Sequence, residues 1–259
     1  MTGGRGTDAA LVLPSAGPDP IALPTALAAV LGYARGRRPL FFRSPSAPQG
    51  RWFQVLAYGF DRYDGQRRET GDAATDRDVL LAEGLHGRLD PAGWREVRTA
   101  LDDVRPLAQA LEDRAAGKAF WELPDDEFSV LAEPGTVGAL LRALGERPGA
   151  RHVVAALHHR QPSLVPLLDG VTRRQLSGHV VEGDSGPEAV VSRELRANAV
   201  AFTRLETAAA TLLGRPITRL RLHDVLLWLA GSLRMTHAVA VGRALAAETE
   251  EGLELVVSS

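Results

Sequence analysis

The stretch "LLRALGERPGARHVVAALHHRQPSLVPLLDGVTRRQL", residues 140–176, sets three helical segments between two Gly/Pro breaks. Leu140, Leu141 and Leu144 recur at helical spacing and stop at Gly145. The turn Gly145-Glu146-Arg147-Pro148-Gly149 leads straight into a second helix, "ARHVVAALHHR". Pro162 ends that helix, Pro166 turns the chain, and Asp169 stands immediately before a third, "GVTRRQL". Helices joined by connections this short must pack among one another, so the stretch points to an all-α protein, a multi-helix bundle. An aspartate at the start of a helix is the expected N-cap, worth about 1 kcal/mol. The same position suits a carboxylate that meets a ligand, so two readings of Asp169 stay open.

The flanks extend the helical pattern to roughly ten helices with short turns. "LPTALAAVLGYARG" has Pro24 near its first turn and Gly36 as its stop. Thr75 and Asp78 have capping-box spacing, Asp90 precedes Pro91 as cap and first helical residue, and "RPLAQALEDRAAG" continues after Pro106. "KAFWELPDDEF" reads as a loop or short turn. Thr136 caps "VGALLRAL", residues 177–187 form a loop, and 188–214 form the longest helix. "RLHDVLLWLAGSLRM" and "THAVAVGRALAAE" close the bundle, with Asp224 read as a helix cap and His223 as its neighbour. The least helical stretch, 37–65, is the one home for a small hairpin, near 40–60. Residues 1–20, rich in Gly, Pro and Ala, are expected to be a disordered tail, with 21–259 a single helical domain and any subdivision near 120–135.

Composition narrows the chemistry. The chain has 259 residues and no cysteine, which excludes disulfides, thiolate metal sites, iron–sulfur clusters and a cysteine nucleophile. The start lacks the basic and long apolar segments of a signal peptide, and no stretch approaches the roughly 20 apolar residues of a membrane span. The expectation is a soluble cytoplasmic protein with no membrane partner. A net charge of -2 argues against a basic surface overall, yet residues 142–174 hold six arginines against Glu146 and Asp169. Those arginines form either a phosphate-facing block or a solvated helix face. No G-x-G-x-x-G, P-loop or G-x-S-x-G elbow occurs, so no cofactor is expected. His152, His158 and His159 share one helix without metal-ligand spacing and read as surface residues, so no metal is expected either. Trp52, Phe53, Tyr58, Phe60 and Tyr63 suit either a core or base stacking.

The succession in 140–176 resembles the helix-hairpin-helix DNA glycosylases. Leu144 to Ala150 stands where that family has L-P-G-h-G-x-K-T-A, and Val165 to Arg174 where it has P-V-D-T-H-V-x-R; 24 residues separate Gly145 from Asp169. "RQPSLVPLLDG" is also similar to the R-P-x-L-I-P-x-x-D-S corner of an uncharacterised, mostly helical bacterial family. The first resemblance implies that Asp169 is the catalytic aspartate that promotes departure of a damaged base. It implies double-stranded DNA as partner, with Gly145, Arg147, Gly149, Arg160, Arg173 and Arg174 on the phosphates. The family's nucleophilic lysine has no counterpart, since Lys118 is the only lysine and lies far upstream. The expected activity is therefore monofunctional base excision. The alternatives are a non-catalytic helical protein, or a small-molecule enzyme or binding protein of a biosynthetic cluster.

Overall fold

A computed structural model describes residues 10–44, 47–67, 73–131, 135–145 and 147–248. The described chain is mainly α, as the periodicity predicts. It has ten helices: α1 (Leu23–Arg35), α2 (Asp76–His86), α3 (Pro91–Ala115), α4 (Val137–Leu144), α5 (Ala150–Arg160), α6 (Gly170–Ser177), α7 (Pro187–Ala197), α8 (Ala199–Leu213), α9 (Arg219–Gly231) and α10 (Met235–Glu248). Two antiparallel pairs accompany them, β1 (Ala10–Leu11) with β2 (Ile21–Ala22), and β3 (Arg37–Ser44) with β4 (Ala47–Leu56). The second pair is the expected hairpin. Apolar side chains from Leu11 to Ala246 form one contiguous core. Among the described residues, no single helix is long and apolar enough to cross a membrane.

Several ends follow from local chemistry. Asp90 accepts from Gly93 N at 2.7 Å and Thr136 from Ala139 N at 3.2 Å, each satisfying a helix-start N–H that has no partner in its own helix. "KAFWELPDDEF" forms two short 3-10 turns. α3 runs unbroken through Pro106, and at 25 residues it is the longest helix, not 188–214. The latter is broken at Asn198 for a long-range reason. Asn198 Oδ1 accepts from Val12 N at 2.7 Å and Nδ2 donates to Val12 O at 2.8 Å, so the side chain acts as a strand partner for the N-terminal segment. Ser15 adds its N–H and hydroxyl to the buried Glu194, which also pairs with His223 at 2.7 Å. Residues 10–20 are thus tied into the core, with Leu11 and Leu13 buried, rather than forming the expected loose tail; residues 1–9 lie outside the described residues.

α1 and α10 cross at van der Waals contact of their backbones. A methyl group on Gly32 would strike Ala238 O, and one on Gly242 would strike Ala28 O, so glycine is the only residue that permits this crossing. α2 and α5 meet through polar contacts instead. His152 Nε2 donates to Gly87 O at 3.0 Å, and His159 Nδ1 pairs with Asp78 Oδ1 at 2.8 Å. Both rings lie on one face of α5, and that face is covered by α2. His158 donates to Val165 O at 2.6 Å. All three histidines are buried, which overturns their surface reading.

Asp78 gathers four donors: the N–H and hydroxyl of Thr75, His159, and Arg160 at 2.8 Å. Burial works against its charge, but His159, Thr75 and Arg160 outweigh it and hold the carboxyl at about 2. A depressed carboxyl stabilises the fold above its ordinary range near 4 and loses that contribution as pH falls towards 2. Asp78→Asn is therefore expected to cost about 3 kcal/mol or more in urea unfolding at pH 7, with the gap to wild type narrowing between pH 4 and pH 2.

Candidate active site

α9 presents Arg221, Asp224, Val225 and Trp228 at i, i+3, i+4 and i+7, one helical face turned towards α1 and the loop after the hairpin. Arg221 is its organising group. The guanidinium bonds Asp64 at 2.6 and 2.9 Å, donates to Tyr33 Oη at 2.6 Å and pairs with Asp224, while Tyr33 donates onward to Asp64 at 3.1 Å. Burial opposes the Arg221 charge, but Asp64, Tyr33 and Asp224 outweigh it and raise its pKa well above the ordinary value. Two carboxylates therefore share one cation. Burial, with the charges of Asp169 and Asp64 acting in the same direction, overcomes Arg221 and pushes Asp224 up to about 7. Asp224 is not a helix cap, as its sequence position suggests; Thr218 caps α9 and Asp224 sits inside it.

Beside this network lies a cavity of about 110 Å³. Tyr33, Tyr58 and Trp228 form its aromatic wall, with ring centroids 5.5 to 6.4 Å apart. Tyr58 is fixed by a 3.0 Å hydrogen bond to His237 of α10. Gly59 and Gly84, which pack backbone to backbone, and His86 at the end of α2 supply another side. His86 stacks edge-on against His152, 5.4 Å between centroids. Burial, together with the charges of His152 and Arg151, lowers it to about 4, leaving a neutral imidazole near pH 7. At about 110 Å³ the cavity is smaller than the roughly 150 Å³ cavity that holds one benzene ring, so an extended cofactor is too large for it.

Asp169 lines the same cavity. It is the N-cap of α6, with Oδ1 accepting from Val171 N and Thr172 N at 2.8 Å and from Thr172 Oγ1 at 3.2 Å. Among the described residues no hydrogen bond reaches Oδ2. The two readings of Asp169 therefore use different oxygens, one for the cap and one left over.

The other expected site residues divide. Arg173, half-buried, and Arg174, exposed, lie in α6 immediately after Asp169 and are in no ion pair among the described residues. Arg160 is buried on Asp78 and cannot reach a phosphate, because its charge is already spent in the core. Arg147 is exposed but bonds Asp103 at 3.2 Å. Gly149 has φ +78° and turns its Cα against Val97, so the glycine serves packing on α3. Gly145 is exposed at the end of α4. α4 lies chiefly against α3 and α5 chiefly against α2, rather than against one another. Of the five aromatics, Tyr58, Phe60 and Tyr63 are core, whereas Trp52 and Phe53 are exposed. Tyr33, His86, Arg221 and Trp228 escaped the sequence reading, although the i, i+3, i+7 spacing of Arg221, Asp224 and Trp228 was a signal. Lys118 is exposed and outside the cavity lining.

A family model described as a family of unknown function (DUF6308) matches residues 53–231, more than half of the chain. The chain belongs to the DUF6308 family. The matched DUF6308 segment holds Tyr58, His86, Asp169, Arg221, Asp224 and Trp228, and leaves Tyr33 and α10 outside it. No curated protein and no solved structure matches the chain.

A carboxyl raised in the folded state binds its proton more tightly there than in the unfolded chain, so it costs stability as pH rises from about 4 to about 7. Asp224→Asn cannot ionise. Its stability relative to wild type is expected to rise by a few kcal/mol between pH 5 and pH 8 in urea titrations, and a pH-independent difference would contradict the raised pKa.

Proposed function

We propose that this DUF6308 protein binds double-stranded DNA and excises a damaged base, with Asp169 as the catalytic carboxylate. The observation that carries this reading is Asp169, whose Oδ1 alone serves the helix cap, on the lining of a small cavity walled by Tyr33, Tyr58 and Trp228. A flat base extruded from the duplex would insert against these rings, as enzymes that act on a base require. Cleavage breaks the bond between C1′ of the sugar and the base nitrogen, and the electron pair leaves with the base. Asp224, half protonated near neutrality, would deliver the proton that the departing base needs. Asp169 would stabilise the cation-like sugar and orient the water whose oxygen bonds C1′; the proton that this water loses passes to the carboxylate and then to solvent. No lysine lines the cavity, which favours hydrolysis over Schiff-base chemistry.

Phosphate contact falls to Arg173 and Arg174 beside Asp169, and to Arg151, exposed at the start of α5 and close enough to depress His86. Arg147 and Gly149, engaged with Asp103 and Val97, have a lesser part than the helix-hairpin-helix resemblance implies. The aromatic cavity also supports a second reading, capture of a free heteroaromatic small molecule, which needs no duplex.

Asp169→Asn tests the assignment, because asparagine caps helices as well as aspartate does and keeps the fold. On a panel of duplexes carrying damaged bases, the variant is expected to lose base release by about 100-fold or more while melting and DNA affinity stay near wild type. Wild-type protein that releases no base and shows no salt-sensitive duplex affinity would sink the proposal.

A further inference from the structure

The hairpin β3–β4 has both faces uncovered. Phe41 opposes Trp52 on one face, while Leu40 opposes Phe53 and Phe42 opposes Arg51 on the other. All six side chains are exposed, Trp52 by 69% and Phe42 by 56%. An isolated two-stranded ribbon is marginal in water, and burying this much aromatic surface requires something outside the bundle. Residues 37–56 contain four arginines, at 37, 38, 43 and 51, and no acidic residue, within a chain of net charge -2. None of the four is in an ion pair among the described residues, and Arg43 lies 5.8 Å over the Phe41 ring.

The ribbon is continuous with the candidate site. β3 begins directly after α1, which supplies Tyr33, and β4 ends two residues before Tyr58, with Ala57 N donating to Gly36 O at 2.7 Å at its root. It extends about 25 Å from the rim of the cavity. We infer that the hairpin is a DNA-contacting arm: its aromatics pack on the bases or sugars of the duplex flanking an extruded base, and its arginines meet the phosphates. A two-stranded ribbon fits the major groove, and aromatic stacking with arginine is the chemistry that unstacked bases favour. A membrane surface would suit one apolar face, whereas this ribbon exposes aromatics on both. The inference rests on the DNA reading above.

The test measures full-length protein on a duplex containing an abasic site, by fluorescence anisotropy across a salt series, for wild type, Asp169→Asn, Phe42→Ala/Trp52→Ala and Arg38→Ala/Arg51→Ala. These hairpin side chains are exposed, so circular dichroism and melting should match wild type. Expected are a loss of at least about fivefold in affinity for the aromatic pair and a salt slope smaller by about two for the arginine pair, with Asp169→Asn binding as wild type. If wild type and Asp169→Asn bind but both hairpin variants bind equally with the same slope, the arm is overturned and the site reading stands. If wild type itself shows no affinity, the DNA reading fails first and the arm with it. Hairpin variants that keep DNA affinity but lose binding to phosphatidylserine vesicles, or turn a dimer into a monomer, would overturn the arm in favour of a membrane or a second copy.

Discussion

The buried guanidinium of Arg221 is the interaction on which the site depends. It ties α9 to α1 through Tyr33 and to the post-hairpin loop through Asp64, and a buried cation of this kind persists only because its donors are satisfied. Its second effect is electrostatic. Asp64 and Asp224 together exceed its single charge, and burial, with the charges of Asp169 and Asp64 acting in the same direction, pushes Asp224 up to about 7. The group that holds three elements together thus also sets an acid beside the cavity.

Asp169 shows how one side chain serves architecture and chemistry without conflict. Helix α6 needs an acceptor at its first turn, and Oδ1 fulfils that need completely. The cap engages Oδ1 and leaves Oδ2 without a hydrogen bond among the described residues, on a side chain that lines the aromatic cavity. The preorganisation comes from the backbone N–H groups of Val171 and Thr172, which the helix itself holds in place.

The parts of the fold legible in the sequence were those fixed within a few residues. Asp90, Thr136 and Asp169 cap their helices because the N–H groups they satisfy lie two or three positions on, and the Pro/Gly-rich 40–60 region forms a hairpin. The errors trace to partners far along the chain. Asn198 breaks a helix because it needs Val12, and Arg160 and the α5 histidines turn inward because α2 covers them with Asp78 and Gly87. The candidate site shows the same division. Asp169 was visible as a cap in front of a helix, whereas the aromatic wall is assembled from α1, the hairpin exit and α9, and Asp224 looked like a cap although α9 already starts upstream at Thr218.

The glycine-mediated crossing of α1 and α10 bears on the order in which the molecule can become competent. α10 emerges after the other nine described helices, yet it must reach back to α1 and press its backbone against it. His237, which orients Tyr58, travels with it. A nascent chain that has already formed Asp169, Arg221 and Trp228 still lacks a fixed aromatic wall until this non-local contact closes. A chain stalled short of α10 therefore carries the acidic groups of the site without the His237 contact that fixes Tyr58 in the cavity wall.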